Sequence, residues 1–179
     1  MIQPTEFIDQ LCDRIEKVLT PSWWEAGEFP DEEYHTPVVH AQYLPTSKTG
    51  SEQRDKTKDC PVVLVVITSG TMNDFLSSVV KIQIYFTIWR NDTDNQGWRI
   101  AIGMLWAVLQ NLLEDRVIGA YQLTTPIEWT PLNTREPPYY TAQLDTVWMG
   151  GPPAVSVPGM ENNFIGTESE EKFESLEVN

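Results

Sequence analysis

The sequence predicts an α+β fold, with a mixed, mainly antiparallel sheet of about five strands packed by two main helices and an extended C-terminal arm. Residues 79–90 alternate apolar and polar side chains with a period of two, which is typical of a strand with one buried face. Residues 4–19 and about 95–115 instead repeat apolar side chains every three or four positions, as amphipathic helices do. Two further strand-like stretches follow the second helix and complete the predicted sheet.

The first helix is predicted over residues 4–19. Thr5 is a candidate N-cap with Pro4 beside it, and Pro21 is expected to end the helix because proline cannot continue it. Acidic residues, among them Asp9 and Asp13, fall on or near the side opposite the apolar face. That apolar face consists of Phe7, Ile8, Leu11, Ile15, Val18 and Leu19.

Two strands separated by a polar loop are predicted next. Residues 38–44 indicate a short strand with weak alternation, limited by a proline on each side. Residues 61–68 contain an unbroken, largely β-branched run, so this strand is predicted to be buried on both faces and to end at Ser69-Gly70-Thr71. The stretch between them is polar and holds no large apolar side chain, which predicts a mobile loop over residues 45–60.

The strand over residues 79–90 has two distinct faces. One face carries only apolar side chains and is predicted to lie against the core, while the other faces solvent or a partner. The core face comprises Val80, Ile82, Ile84, Phe86 and Ile88, and the opposite face comprises Lys81, Gln83, Tyr85, Thr87 and Trp89.

The second helix, over about 95–115, is apolar around much of its circumference. Ile100, Met104 and Ala107 are predicted to lie off its main stripe. Such a helix is either deeply buried or also touches another subunit. The predicted stripe contains Trp98, Ala101, Ile102, Leu105, Val108, Leu109, Leu112 and Leu113.

The chain is predicted to form one domain, residues 1–150, followed by a separate arm. Residues 123–129 and 139–149 are expected to pair as antiparallel strands through a turn rich in proline. Residues 151–179 begin with glycine and proline and become acidic, which predicts an extended arm that is disordered or becomes ordered only on assembly. Phe164 and Phe173 are the aromatic residues in this arm that could dock on a neighbour.

Composition excludes several classes of protein. The net charge of -14 argues against nucleic-acid binding, because neutralising phosphates requires a basic surface, and it suits a soluble protein. Cys12 and Cys60 are too few and too far apart for a disulfide framework or a zinc site. The N-terminus lacks the features of a signal peptide, and no apolar run is long enough to span a bilayer.

No motif in the sequence predicts catalysis, a cofactor or a metal. A calcium loop beginning at Asp92 fails because its twelfth position, which should be a bidentate acid, is Gly103. His35 and His40 stand near two glutamates, but their spacing suits neither one helix face nor one strand face. Ser69-Gly70-Thr71 follows a strand without the glycine pattern and lysine of a phosphate loop.

Large aromatic side chains are the more informative signal. The chain has seven tryptophans, and several occupy positions that the strand and helix patterns predict to be exposed, where they are candidate interface anchors. The equally weighted alternative is that the chain's own helices and loops cover both faces of the sheet. The candidate interface residues are Tyr85, Trp89, Ile100, Met104, Trp106, Phe164 and Phe173.

The order of elements, together with the segments at residues 82–89 and 139–145, resembles the tail terminator and tail-completion proteins of long-tailed bacteriophages. The resemblance covers residues 4–150 and is one of pattern and size. It implies an α/β sandwich that assembles in the host cytoplasm into a hexameric ring of the virion. That ring would cap the tail tube protein, end tube polymerisation and meet the head-tail connector protein, while DNA passes through the lumen without specific binding. No catalytic residue is implied.

Three alternatives remain open from the sequence. A head-tail connector or head-completion protein of the same neck would share the ring and differ in the neighbour that it binds. An enzyme of nucleotide or small-molecule metabolism would need a polar cluster in an apolar pocket between the sheet and residues 46–59. A cellular adaptor domain with an acidic tail is the third alternative.

Overall fold

A computed structural model describes residues 4–20, 36–44, 60–73, 77–90, 97–132 and 138–151. Several predictions fall wholly or mostly on residues outside these ranges. They concern the loop over 45–60, the arm over 151–179 with Phe164 and Phe173, the calcium-loop candidate beginning at Asp92, and His35. The helices are α1 (Pro4–Val18) and α2 (Gly97–Glu114), and the strands are β1 (Val38–Ala41), β2 (Val62–Asn73), β3 (Ser77–Trp89), β4 (Val117–Ile118), β5 (Tyr121–Leu132) and β6 (Tyr139–Gly150).

The strands form one mixed sheet in the order β1-β2-β3-β6-β5-β4. β1 is parallel to β2, and every other neighbouring pair is antiparallel. The predicted α+β class and the antiparallel pairing of β5 with β6 are therefore confirmed. β4 was not predicted, because its two residues are too few to produce a periodic pattern.

Both helices pack on one face of the sheet. The predicted inward face of β3 is confirmed, since its five apolar side chains are buried. Phe7 of α1 stacks on Tyr121 with ring centroids 4.3 Å apart and meets Trp148 edge-on at 5.1 Å. The core thus joins the beginning of the chain to its last two long strands. No helix in the described part of the chain is long and apolar enough to cross a membrane.

Two predictions for β2 were wrong. Ser69-Gly70-Thr71 does not end the strand, because the hairpin with β3 continues until Asn73 pairs with Ser77. Burial on both faces is also incorrect: Val63 and Val65 are fully buried, whereas the alternate residues are partly exposed. The pattern of β-branched residues identified a strand, but it could not show that the helices cover only one face.

The predicted phase of α2 requires correction. Ile100 and Met104, which were predicted to be interface residues, are 2% and 0% exposed and belong to the core. Trp98 and Leu113, placed on the inner stripe, are instead exposed. A helix that is apolar around most of its circumference has no hydropathy contrast to define its inner side, so packing against β3, β5 and β6 selects the buried face.

Candidate interaction surfaces

The face of the sheet opposite the helices carries the predicted interface residues Tyr85 and Trp89, both partly buried. We call this side the open face, because none of the described helices covers it. Its side chains hold one another in place: the Tyr85 hydroxyl donates to Gln83 Oε1 at 2.8 Å. Gln143 Nε2 donates to both carboxylate oxygens of Asp145, at 3.0 and 2.8 Å. Pre-ordered aromatic and amide groups of this kind lose little conformational entropy when they meet a partner.

A second surface lies on the opposite, helical side of the sheet. Trp106 of α2 is 43% exposed and Trp129 of β5 is 44% exposed, and their ring centroids are 5.9 Å apart. Trp98 and Leu113 are also exposed, and each lies about two helical turns from Trp106. The three side chains therefore share one side of α2. The tryptophan surface, as we name it, consists of Trp98, Ile102, Trp106, Leu113 and Trp129.

The predicted exposed position of Trp106 is confirmed, whereas Trp129 was missed as an interface candidate. Alternation would have found it, because Trp129 lies on the same face as Leu123 despite the irregular pairing between Thr124 and Glu128. Leu123 is covered by the core, but Trp129 lies at the margin and stays half exposed. Tyr85 and Trp89 share one surface, and Trp106 lies on the other.

A third exposed apolar group lies at the β1 edge of the sheet. Tyr43 is 80% exposed, and Val38 and Leu44 are about half exposed. We call these three residues the β1-edge surface. Because β1 ends one side of the sheet and β4 and β5 end the other, this surface and Trp129 belong to opposite edges.

A groove of about 820 Å³ runs between the two helices and has mixed charges. Its most buried cation, Arg14, is already engaged: Nε donates to Asn111 Oδ1 and Nη2 donates to the Asn111 carbonyl, both at 2.7 Å. Arg14 Nη1 also lies 3.5 Å from a carboxylate oxygen of Asp115. These contacts close the C-terminal end of α2, so Arg14 serves the structure of the groove.

The described residues contain no group of three or more histidine, cysteine, aspartate or glutamate side chains placed to hold a metal ion. Burial, assisted by Asp9, Glu16 and Asp13, raises the pKa of the Cys12 thiol to about 12, which keeps it protonated at neutral pH. The enzyme alternative predicts a pocket between the sheet and residues 46–59, and those residues lie outside the described ranges.

No protein-family model matches this sequence, and no curated protein matches it at a significant level.

Proposed function

We propose that this chain is a structural protein of a phage neck, which forms a ring that caps the tail tube, ends its polymerisation and joins it to the head connector. The observation that best supports a ring is the presence of two different exposed apolar surfaces towards opposite edges of one sheet. A head-to-tail ring needs two dissimilar patches on each copy. One patch then binds the other patch of the next copy, and rotation repeats this contact until the ring closes.

In this proposal the tryptophan surface of one copy packs against the β1-edge surface of the next. Exposed apolar patches with large aromatic side chains are the usual anchors of protein interfaces. Tyr43 offers a large, nearly free ring, and the Trp106–Trp129 pair offers a preformed platform for it. The number of copies, about six, is what the phage resemblance implies for a closed ring.

The open face is then left to meet another protein of the tail, and we assign it to the tail tube. Tyr85 and Trp89 supply aromatic contact area there, and the amide and carboxylate groups supply directional hydrogen bonds. The net charge of -14 suits a ring through which DNA passes without adhering, because an acidic wall repels phosphate.

Light scattering on the full chain, alone and with its tail-tube partner, tests the proposal. A mass of about six copies, alone or on the tube, is expected. A strict monomer that ignores the tube would contradict the terminator role. Binding to filled heads in preference to tubes would instead support the head-tail connector alternative.

A further inference from the structure

The outer edge of β2 is open over part of its length. β1 pairs with Val62–Val65, and the side-chain amide of Gln42 then takes the place of a peptide group. Its Nε2 donates to the Ile67 carbonyl at 3.3 Å, and its Oε1 accepts from the Ile67 N–H at 3.0 Å. From residue 68 to residue 72, no strand among the described residues pairs with this edge.

This open edge lacks most of the features by which proteins normally block strand addition. Natural edges are protected by charged side chains, prolines, β-bulges or very short strands. The register with β3 shifts between Ile67 and Ser69, but from Ser69 onward the pairing with β3 is regular. Residues 68–72 read Thr-Ser-Gly-Thr-Met, without a charge or a proline, and all are exposed. The outer strand β5 differs, because Pro126 and Pro131 interrupt its donors. The β2 edge is therefore suited to accept an extended chain through main-chain hydrogen bonds.

The chain's C-terminal segment leaves the sheet at the same level as this edge. Gly150 pairs with Ser78, and Ser78 pairs with Met72, so the three residues form a row across the sheet. The hydroxyl of Ser78 donates to the Gly151 carbonyl at 3.5 Å. At about 4.8 Å between strands, the exit point lies about 10 Å from the β2 edge. Residues 152–162 can extend about 36 Å, which is enough to reach an adjacent copy.

Composition selects one stretch of the segment beyond Gly151. Residues 163–167 have two adjacent large apolar side chains, Phe164 and Ile165, and no proline or acid. The residues before them include three prolines, and the residues after them are rich in glutamate. Because the edge offers no cation to balance glutamates, the uncharged stretch is the better match.

We propose that residues 163–167 of one copy add as a strand to the edge at residues 68–72 of the adjacent copy. This inference rests on the ring proposed above. The β2 edge lies on the same side of the sheet as the β1-edge surface, where that ring places the neighbour. In this arrangement the ring axis runs along the strands. Rotation about that axis keeps Gly151 of one copy level with residues 68–72 of the next, so the segment crosses sideways between the copies. Each added strand links two copies that already touch, and the second contact is therefore effectively intramolecular.

Cross-linking between two single-cysteine chains tests the contact. In a background carrying Cys12→Ser and Cys60→Ser, chains with Thr71→Cys and chains with Ile165→Cys are mixed and treated with a short bismaleimide. Mixing Ile165→Cys chains with Thr71→Cys chains should give several times more cross-linked dimer than mixing them with Gln122→Cys chains. Gln122 is the control because it is exposed but already pairs with Val117. Equal yields would overturn the proposal. A third sample, a chain that carries both Thr71→Cys and Ile165→Cys, would also overturn it if the link forms only within that chain and never between chains.

Light scattering on the same samples distinguishes this inference from the proposed function. A ring without the cross-link overturns the strand contact and leaves the ring standing. Absence of both the ring and the cross-link overturns the two together, while a cross-link in smaller oligomers supports the contact alone.

Hydrogen exchange on the full chain tests the same contact without cysteines. In the assembled protein, amides at residues 68–72 should exchange about tenfold faster in Phe164→Asp/Ile165→Asp than in the wild type. The matched control, Phe173→Asp/Leu176→Asp, should leave them slow. Equal protection in both double variants means that another segment covers the edge, and it would overturn the proposal.

Discussion

Trp148 Nε1 donates a 3.0 Å hydrogen bond to Thr146 Oγ1, which in turn donates to the Ile82 carbonyl at 3.3 Å. Thr146 is 1% exposed and Trp148 is 0% exposed, so water cannot replace either bond. The threonine hydroxyl thereby allows a tryptophan, with its polar N–H, to fill the centre of the core against Phe7.

Replacing Thr146 with valine keeps the shape of the side chain and removes the hydroxyl. The indole N–H then loses its partner inside the core, and we expect the free energy of unfolding in urea to fall by about 1–3 kcal/mol. Thr124→Val is the matched control, because its hydroxyl also donates to a strand carbonyl, that of Val147, but lies partly exposed. Equal losses in the two variants would show that the buried N–H carries no special cost.

Gly150→Ala tests how tightly β6 packs on Tyr121. A Cβ at position 150 would lie 2.6 Å from Tyr121 Cε1, and the ring cannot retreat because Phe7 stacks on it. Overpacking of this kind typically costs about 1–3 kcal/mol of unfolding free energy. Gly151→Ala is the neighbouring control, since a Cβ there meets nothing within 4 Å and stability should stay within about 0.5 kcal/mol.

Arg14→Ala should detach the C-terminal end of α2 from α1. It removes two 2.7 Å hydrogen bonds to Asn111, one of them to a helix carbonyl, and we expect a loss of about 1–2 kcal/mol in thermal or urea unfolding. Arg14→Lys should restore little, because an ammonium cannot reproduce the planar geometry that reaches both oxygens. Lys17→Ala, an exposed cation on the same helix, is the control. Full recovery with lysine would mean that charge alone matters.

The Cys12 thiol should lower stability at alkaline pH. Its pKa is raised from 9.0 in an exposed thiol to about 12 in the folded chain, so between these values the unfolded chain releases a proton that the folded chain keeps. The thiol's contribution is complete below pH 9 and is lost as pH rises towards 12. Between pH 8 and pH 11, the free energy of unfolding should therefore fall more steeply with pH for the wild type than for Cys12→Ser. Parallel curves would contradict the raised pKa.

Trp106→Ala combined with Trp129→Ala should reduce the mass of the assembly and leave the chain folded. Both rings are more than 40% exposed, so their loss removes little core packing, whereas aromatic hot-spot residues contribute about 2 kcal/mol or more to an interface. Light scattering measures the assembly and circular dichroism the fold. Tyr85→Ala is the control from the open face, and it should weaken tube binding while the ring persists. A ring unaffected by the double substitution would remove the tryptophan surface from the interface.

The faces of β3 were predictable because Ile82, Ile84 and Phe86 alternate with polar residues, and local sequence alone fixes that pattern. The phase of α2 was not, since Ile100 and Trp98 are both apolar and only packing against the sheet distinguishes them. The central place of β3 and β6 also depends on pairing between distant segments, for which no local signal exists.

The candidate surfaces were predicted in part. Trp106 was identified as exposed from its position at the margin of the helix stripe. The β1-edge surface was not, because Tyr43 and Leu44 follow a strand with weak alternation, and a single exposed aromatic gives no periodic signal. The role of Gln42 could not be predicted either, since it depends on the meeting of its amide with Ile67 across the sheet edge.

The contacts of Phe7 with Tyr121 and Trp148 have a consequence for protein synthesis. The ribosome makes α1 before the strands, yet the described aromatic partners of Phe7 come more than a hundred residues later. Until β6 has emerged from the ribosome, Phe7 lacks its aromatic partners on β5 and β6. Folding of the nascent chain therefore depends on long-range contacts that form late. Translation that stops before Trp148 leaves a chain without the centre of its core.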